Sequence, residues 1–166
     1  MSLNWRQFEL GVMRPTLIEL ASIMPTPEVA VILVGETLWH EGDRLRALGQ
    51  YPRRELGDTS VAPGSLPVFG PGLGIASIEE PTWDWMAGTS KGKQLLFAED
   101  YSNLASDLRL NVVACRLRYF LSTMALPKLE DGIEARATYW WKVYNCGQVD
   151  RRPDYLKNAT AIPWAL

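Results

Sequence analysis

The stretch PEVAVILVGETLWHE, from Pro27 to Glu41, decides how the rest of the chain is read. Seven consecutive residues within it, Val29 to Gly35, carry no polar side chain. A helix that is apolar on every face has to sit inside a protein rather than on it. Thr26 as N-cap, Pro27 at the first helical position and Glu28 in the first turn predict where it starts. The β-branched content also suits a buried strand, but the start signals and the run beyond Gly35 favour helix. This rod delivers His40 and Glu41 to a charged exit, Gly42-Asp43-Arg44. A carboxyl leaving an apolar element beside Trp39 is poorly solvated, and desolvation raises the pKa of an acid. A group so placed can serve as a general acid. The plainer alternative is a solvated glutamate at a helix C-terminus, where the helix dipole disfavours negative charge.

Upstream, Trp5 to Ile23 has a helical pattern in Phe8, Val12, Leu17 and Leu20, with Pro15 interrupting. Pro25 and Pro27 then break the chain before the central helix. Downstream, GDRLRALGQYPRR begins as a short polar helix and dissolves. From Tyr51 to Gly74, Pro and Gly fill nine positions, which predicts a small irregular or hairpin-like lobe inserted after the central helix. Its Gly-rich end, GPGLG, lacks the Lys-Ser/Thr ending and the preceding strand of a phosphate-binding loop. A short helix is expected from Glu79, Glu80 and Thr82 through Trp83 and Trp85, then a turn from Gly88 to Gly92. A second long helical region runs from Leu95 to Leu121, with Leu104, Leu108, Val112, Cys115 and Tyr119 as its apolar stripe. Asp107, Arg109, Arg116 and Arg118 fall on other faces and read as solvated. Glu134 to Asn145 is an aromatic final helix stopped by Gly147. The tail from Arg151 to Leu166 turns apolar after Ala159 and is read as docking on the body or on another subunit.

The chain of 166 residues is expected to form one mainly α domain spanning 1–166, with the lobe at 51–74. Hydrophobic residues make up 47% and charged residues 22%, ordinary proportions for a globular protein. A net charge of -2 offers no broad attraction to nucleic acid. No apolar run reaches the length of a membrane span, and MSLNWRQFE does not read as a secretory signal. Cys115 reads as core and Cys146 as free, so no disulfide framework is expected. With one histidine, histidine-rich metal sites are excluded, and no metal or cofactor is expected.

A buried helix ending in His40-Glu41, then the stretch Gly72-Leu73-Gly74-Ile75-Ala76-Ser77-Ile78-Glu79 leading to Thr82, resembles the lysozyme-like lytic transglycosylase superfamily. The similarity is greatest to its members in the virions of tailed bacteriophages. DLRLNVVACRLRY, ending at Tyr119, is similar to the family's long helix. ATYWWKVYNCG, from Ala137 to Gly147, is similar to its aromatic helix, whose tyrosines lie near the acid. The pattern departs at Ser77, where the family carries Gln, and at Pro81, one place late. The resemblance implies a lysozyme-like fold with Glu41 as the catalytic residue. Ser77, Ile78, Glu79, Tyr139 and Tyr144 are then expected to bind substrate, and Thr37 to stand behind them. Trp39 and Trp83 are further candidates for a saccharide groove.

The activity implied is cleavage of the bond between N-acetylmuramic acid and N-acetylglucosamine in peptidoglycan. Glu41 would give a proton to the leaving oxygen, then take one from the muramyl 6-hydroxyl as an anhydro ring closes. Glu79, Glu80 and Asp84 are the candidates for a second carboxylate if water attacks instead. The implied partners are glycan strands and other virion tail or ejection proteins. The protein would be made in the host cytoplasm, carried in the particle, and act in the cell envelope during genome entry. The competing expectation is a lysozyme-like structural protein of the tail or ejection apparatus, weakly active or inactive.

Overall fold

In the computed structural model, residues 4–45 and 72–165 are described. Among them the fold is mainly helical, with one two-stranded hairpin. Helix α1 (Trp5–Phe8) begins where the Asn4 side chain accepts from Gln7 N at 3.2 Å. A π-helical turn, Glu9–Met13, carries it into α2 (Arg14–Leu20). The wide turn explains how Pro15 is passed without ending the helix. Proline has no N–H to donate and crowds the preceding turn, and a π-bulge relieves both. Glu9 is buried in this bulge, accepting from Trp5 Nε1, Arg14 Nε and the backbone of Ala165.

Helix α3 (Glu28–Glu41) is the predicted central rod. Its N-cap is Pro27 rather than Thr26, whose hydroxyl donates back to Met24 O at 2.9 Å. Buried residues occur on all its faces: Val29, Val31, Leu33, Val34, Glu36, Thr37, Leu38 and His40 among them. Gly35 has no Cβ because one would stand 2.5 Å from the Trp164 ring. The C-terminal tail therefore docks on this chain's own body, with Trp164 edge-on to Trp5 at 5.3 Å. Past Glu41 the first four residues of the expected polar helix, 42–45, form a turn instead, and 46–54 lie outside the described residues. Asp43, Arg44 and Leu45 all take positive φ (43°, 59° and 62°), a tight reversal closed by Arg44 N donating to Trp39 O.

Strands β1 (Gly72–Leu73) and β2 (Ile78–Glu79) pair antiparallel, Gly72 opposite Glu79 and Leu73 opposite Ile78. Only residues 72–74 of the expected lobe fall in the described part; 51–71 lie outside it. Helix α4 (Glu80–Gly88) follows as predicted, with Pro81 in its first turn. The expected turn at Gly88–Gly92 shrinks to Thr89, whose side chain caps α5 (Ser90–Leu95). The long helical region is interrupted: a 3-10 turn, Tyr101–Ala105, precedes α6 (Leu108–Phe120), capped by Asp107. Asp100 caps the 3-10 turn and Asp107 caps α6, their side chains accepting from Ser102 N and Leu110 N. Arg116, read as solvated, is buried in α6 and donates to Pro25 O. Arg109 is exposed and pairs with Glu19. Helices α7 (Gly132–Val143) and α8 (Arg152–Ala159) complete the fold. Cys115 is buried and Cys146 exposed, both free.

Helix α3 packs on α6, α7 and α8. The contact is locked by Glu36, which is buried and takes Arg136 of α7 in a fork, with Nε–Oε2 at 2.9 Å and Nη2–Oε1 at 2.8 Å. Tyr155 of α8 donates to the same carboxylate at 3.0 Å. Removing one partner of a buried pair strands the other charge, which costs about 3–5 kcal/mol. Arg136→Met should therefore lower the unfolding free energy by about 3 kcal/mol in urea titration. The double variant Glu36→Met/Arg136→Met should lose clearly less, because no unpaired charge remains. Equal losses in both would show that packing rather than charge pairing sets the cost.

Candidate active site at the end of the central helix

Glu41 is the last residue of α3 and is half-buried. The hairpin seals one side of this helix end. A Cβ on Gly42 would stand 3.0 Å from Ile75 Cβ, so glycine there lets the hairpin turn lie directly on the helix terminus. The turn from Gly74 to Ser77 carries positive φ at both ends, 72° and 47°. Gly74 is required: a Cβ would fall 2.0 Å from Asn111 Oδ1. Asn111, buried on α6, accepts from Ala76 N at 3.1 Å and donates to Leu104 O and Asp107 O. Tyr144 donates to Ala76 O at 2.6 Å. Both polar groups of the Ala76 backbone are thereby held by the helical body. Ser77 Oγ then donates to the Glu41 backbone carbonyl at 3.3 Å.

One turn before Glu41, the Thr37 hydroxyl donates to Leu33 O at 2.8 Å. With its single proton so used, it accepts from Tyr119 OH at 2.6 Å. Tyr119 stacks on Tyr139 at 5.7 Å and lies 5.3 Å from the Tyr144 ring. Thr37, Ser77, Tyr139 and Tyr144 are thus brought together around the end of α3. Ile78, Tyr139 and Tyr144 are buried rather than part of a free surface. The Tyr139 hydroxyl is spent on Met124 O. Glu79, Glu80 and Asp84 are exposed. Trp83 is buried beside Tyr101, and the partly buried Trp39 packs edge-on against Trp5 at 5.2 Å.

Burial is the main cause that pushes the Glu41 carboxyl up to about 7. Against it act the positive charge of Arg151, the indole N–H of Trp140 and the charge of Arg118. The Trp140 N–H lies beside the carboxyl but makes no hydrogen bond of normal geometry. His40 is driven the other way, to about 4, first by burial and then by Arg151, and so is neutral at pH 7. Its Nδ1 lies 2.8 Å from Asn158 Nδ2, a donor, which places the proton on Nε2. The result is a protonatable carboxyl next to a neutral imidazole, among groups that favour its ionised form without forming an ion pair.

Trp140, Arg118, Arg151 and Asn111 were not singled out from the sequence as site residues. Arg118 looked like a surface charge on α6, and Trp140 one aromatic among several; no spacing rule separates them from packing residues. Among the described residues, no group of three potential metal ligands comes together. Comparison with protein-family models, with curated proteins and with solved structures finds no match to the chain.

The raised pKa has a stability consequence with a definite sign. In the folded state Glu41 holds its proton to about 7, against an ordinary carboxyl value of 4.5. Its contribution is fully present below the unfolded value and is lost as pH rises through the folded one. Glu41→Gln should therefore match wild type near pH 4 and exceed it at pH 8, by on the order of 2 kcal/mol. His40 works in the opposite direction, losing stability as pH falls from 6.5 to about 4, but it cancels in the difference. Denaturant titrations at both pH values check this; a difference independent of pH would show that Glu41 is solvated.

Proposed function

We propose that this chain is a peptidoglycan-cleaving lytic transglycosylase in which Glu41 is the sole acid–base group. One observation carries the reading: a half-buried carboxyl at the end of a buried helix, clamped by a glycine hairpin and poised near neutrality. An acid with a pKa near working pH is both protonated often enough to donate and basic enough to take a proton back. Glu41 protonates the glycosidic oxygen as the bond to the muramyl C1 breaks, leaving an oxocarbenium-like centre. The carboxylate then accepts the proton of the muramyl 6-hydroxyl as O6 bonds to C1. Atoms balance without water, so no second carboxylate is needed. The exposed Glu79, Glu80 and Asp84 fit that economy. The lysozyme-like fold, the glycan and virion tail or ejection proteins as partners, and action on the envelope at genome entry belong to this same reading.

A second reading has its own support. Ser77 donates to the Glu41 backbone, and the hydroxyls of Tyr139 and Tyr144 are engaged inside the body. These residues therefore offer few free polar groups to a sugar, as in a tail or ejection protein that keeps the fold for assembly. The two readings separate on one variant. Dye release from labelled murein should fall by about two to four decades in Glu41→Gln, with the fold intact by circular dichroism. Equal release by both proteins would remove Glu41 from the chemistry, and absence of release by wild type would favour the structural reading.

A further inference from the structure

Trp140 has no exposed surface, yet its Nε1 has no hydrogen-bond partner. Buried indoles normally find an acceptor, and leaving such a donor unpaired is costly. The ring has no freedom to search for one. It stacks on Tyr155 at 4.8 Å, with Tyr155 itself tied to Glu36, and meets the His40 ring edge-on at 4.9 Å. The acceptor beside this N–H is the carboxyl of Glu41. A second case lies on α6. Arg118 is fixed by Tyr144, donating to its carbonyl and lying 4.6 Å over its ring, and by Cys146 Sγ at 3.4 Å. Its Nε is buried and likewise unpartnered.

We propose that Trp140 is a positioning residue whose spare N–H receives the carboxylate that Glu41 becomes once it gives up its proton, with Arg118 acting on it only through its charge. The inference rests on the reading of Glu41 as proton donor and extends it. Donors fixed where charge develops need no rearrangement at the moment of transfer. The division of labour is chemical. A neutral indole favours the anion without adding a positive charge, so Glu41 keeps its proton until a leaving group takes it. A direct Arg fork, like the one on Glu36, would hold the carboxylate ionised from the start. The other groups acting on or coupled to Glu41 are Arg151 ahead of α8 and the buried Cys115, Tyr119 and Tyr144. Arg151 lowers its pKa; the charge of Glu41 in turn raises the pKa of those three, which stay neutral near pH 7. None of them supplies a neutral donor left over by the fold.

The test is a carboxyl-carbon NMR titration of Glu41 in wild type, Trp140→Phe and Arg118→Gln, alongside the pH profile of murein cleavage. Trp140→Phe should move the Glu41 midpoint upward by about one pH unit or more, and Arg118→Gln should move it the same way. Because the protonated form is the donor, the alkaline limb of cleavage should move up with it. A residue that merely packs would lower stability or rate and leave the midpoint where it was. If Trp140→Phe fails to fold, β-(3-benzothienyl)alanine at position 140 keeps the ring shape and deletes only the N–H. An unmoved or lowered midpoint in a folded variant overturns the inference, even if wild type cleaves murein. A raised midpoint in a protein that cleaves nothing upholds the cradle and sinks the glycosidase reading instead.

Discussion

The fork between Glu36 and Arg136, shared with Tyr155, fixes how three helices meet. A buried ion pair contributes little net stability, because desolvation offsets most of the attraction. What it supplies here is register. Glu36, Arg136 and Tyr155 form one layer across α3, α7 and α8. One helical turn on, His40, Trp140 and Asn158 form a second, at the 3.6-residue period of each helix. Glu41 follows directly on that second layer. A slip of α7 by one residue would carry Trp140 away from both His40 and the carboxyl.

Among the described residues three glutamates sit in or at the edge of the interior, and they differ in how fully they are satisfied. Glu9 takes three donors and Glu36 takes Arg136 and Tyr155, so both are structural. Glu41 has charges nearby but no salt bridge and no conventional hydrogen bond to its carboxyl among the described residues. Incomplete satisfaction is what leaves it able to hold a proton near pH 7. The hairpin serves the same end. By anchoring Ala76 through Asn111 and Tyr144, it closes one side of the carboxyl against water without placing a cation there.

The central helix, its end at Glu41 and the aromatic α7 were legible because an unbroken apolar run admits only burial. The raised pKa followed from that burial and needed no coordinates. Thr26 failed as a cap because its hydroxyl turns back to Met24, a local bond that competes with capping. The first four residues of the stretch after Glu41 are not helical because Gly42 lets the hairpin press on the helix end, and three positive-φ residues turn the chain away; 46–54 lie outside the described residues. Arg116 and Arg118 misled for a different reason. Helical spacing assigns a face, but α6 is enclosed on nearly every face beyond its first turn, so Arg116 and Arg118 are drawn inward while Arg109 stays exposed. The fork on Glu36 joins residues a hundred positions apart, and no local pattern announces it.

The central claim is that one carboxyl, without water, cuts the glycan. Mass spectrometry of muropeptides released from purified murein sacculi tests it most directly. The account predicts fragments ending in 1,6-anhydro-muramic acid. Fragments ending in reducing muramic acid would contradict it, since they require water as nucleophile and a second group to activate it.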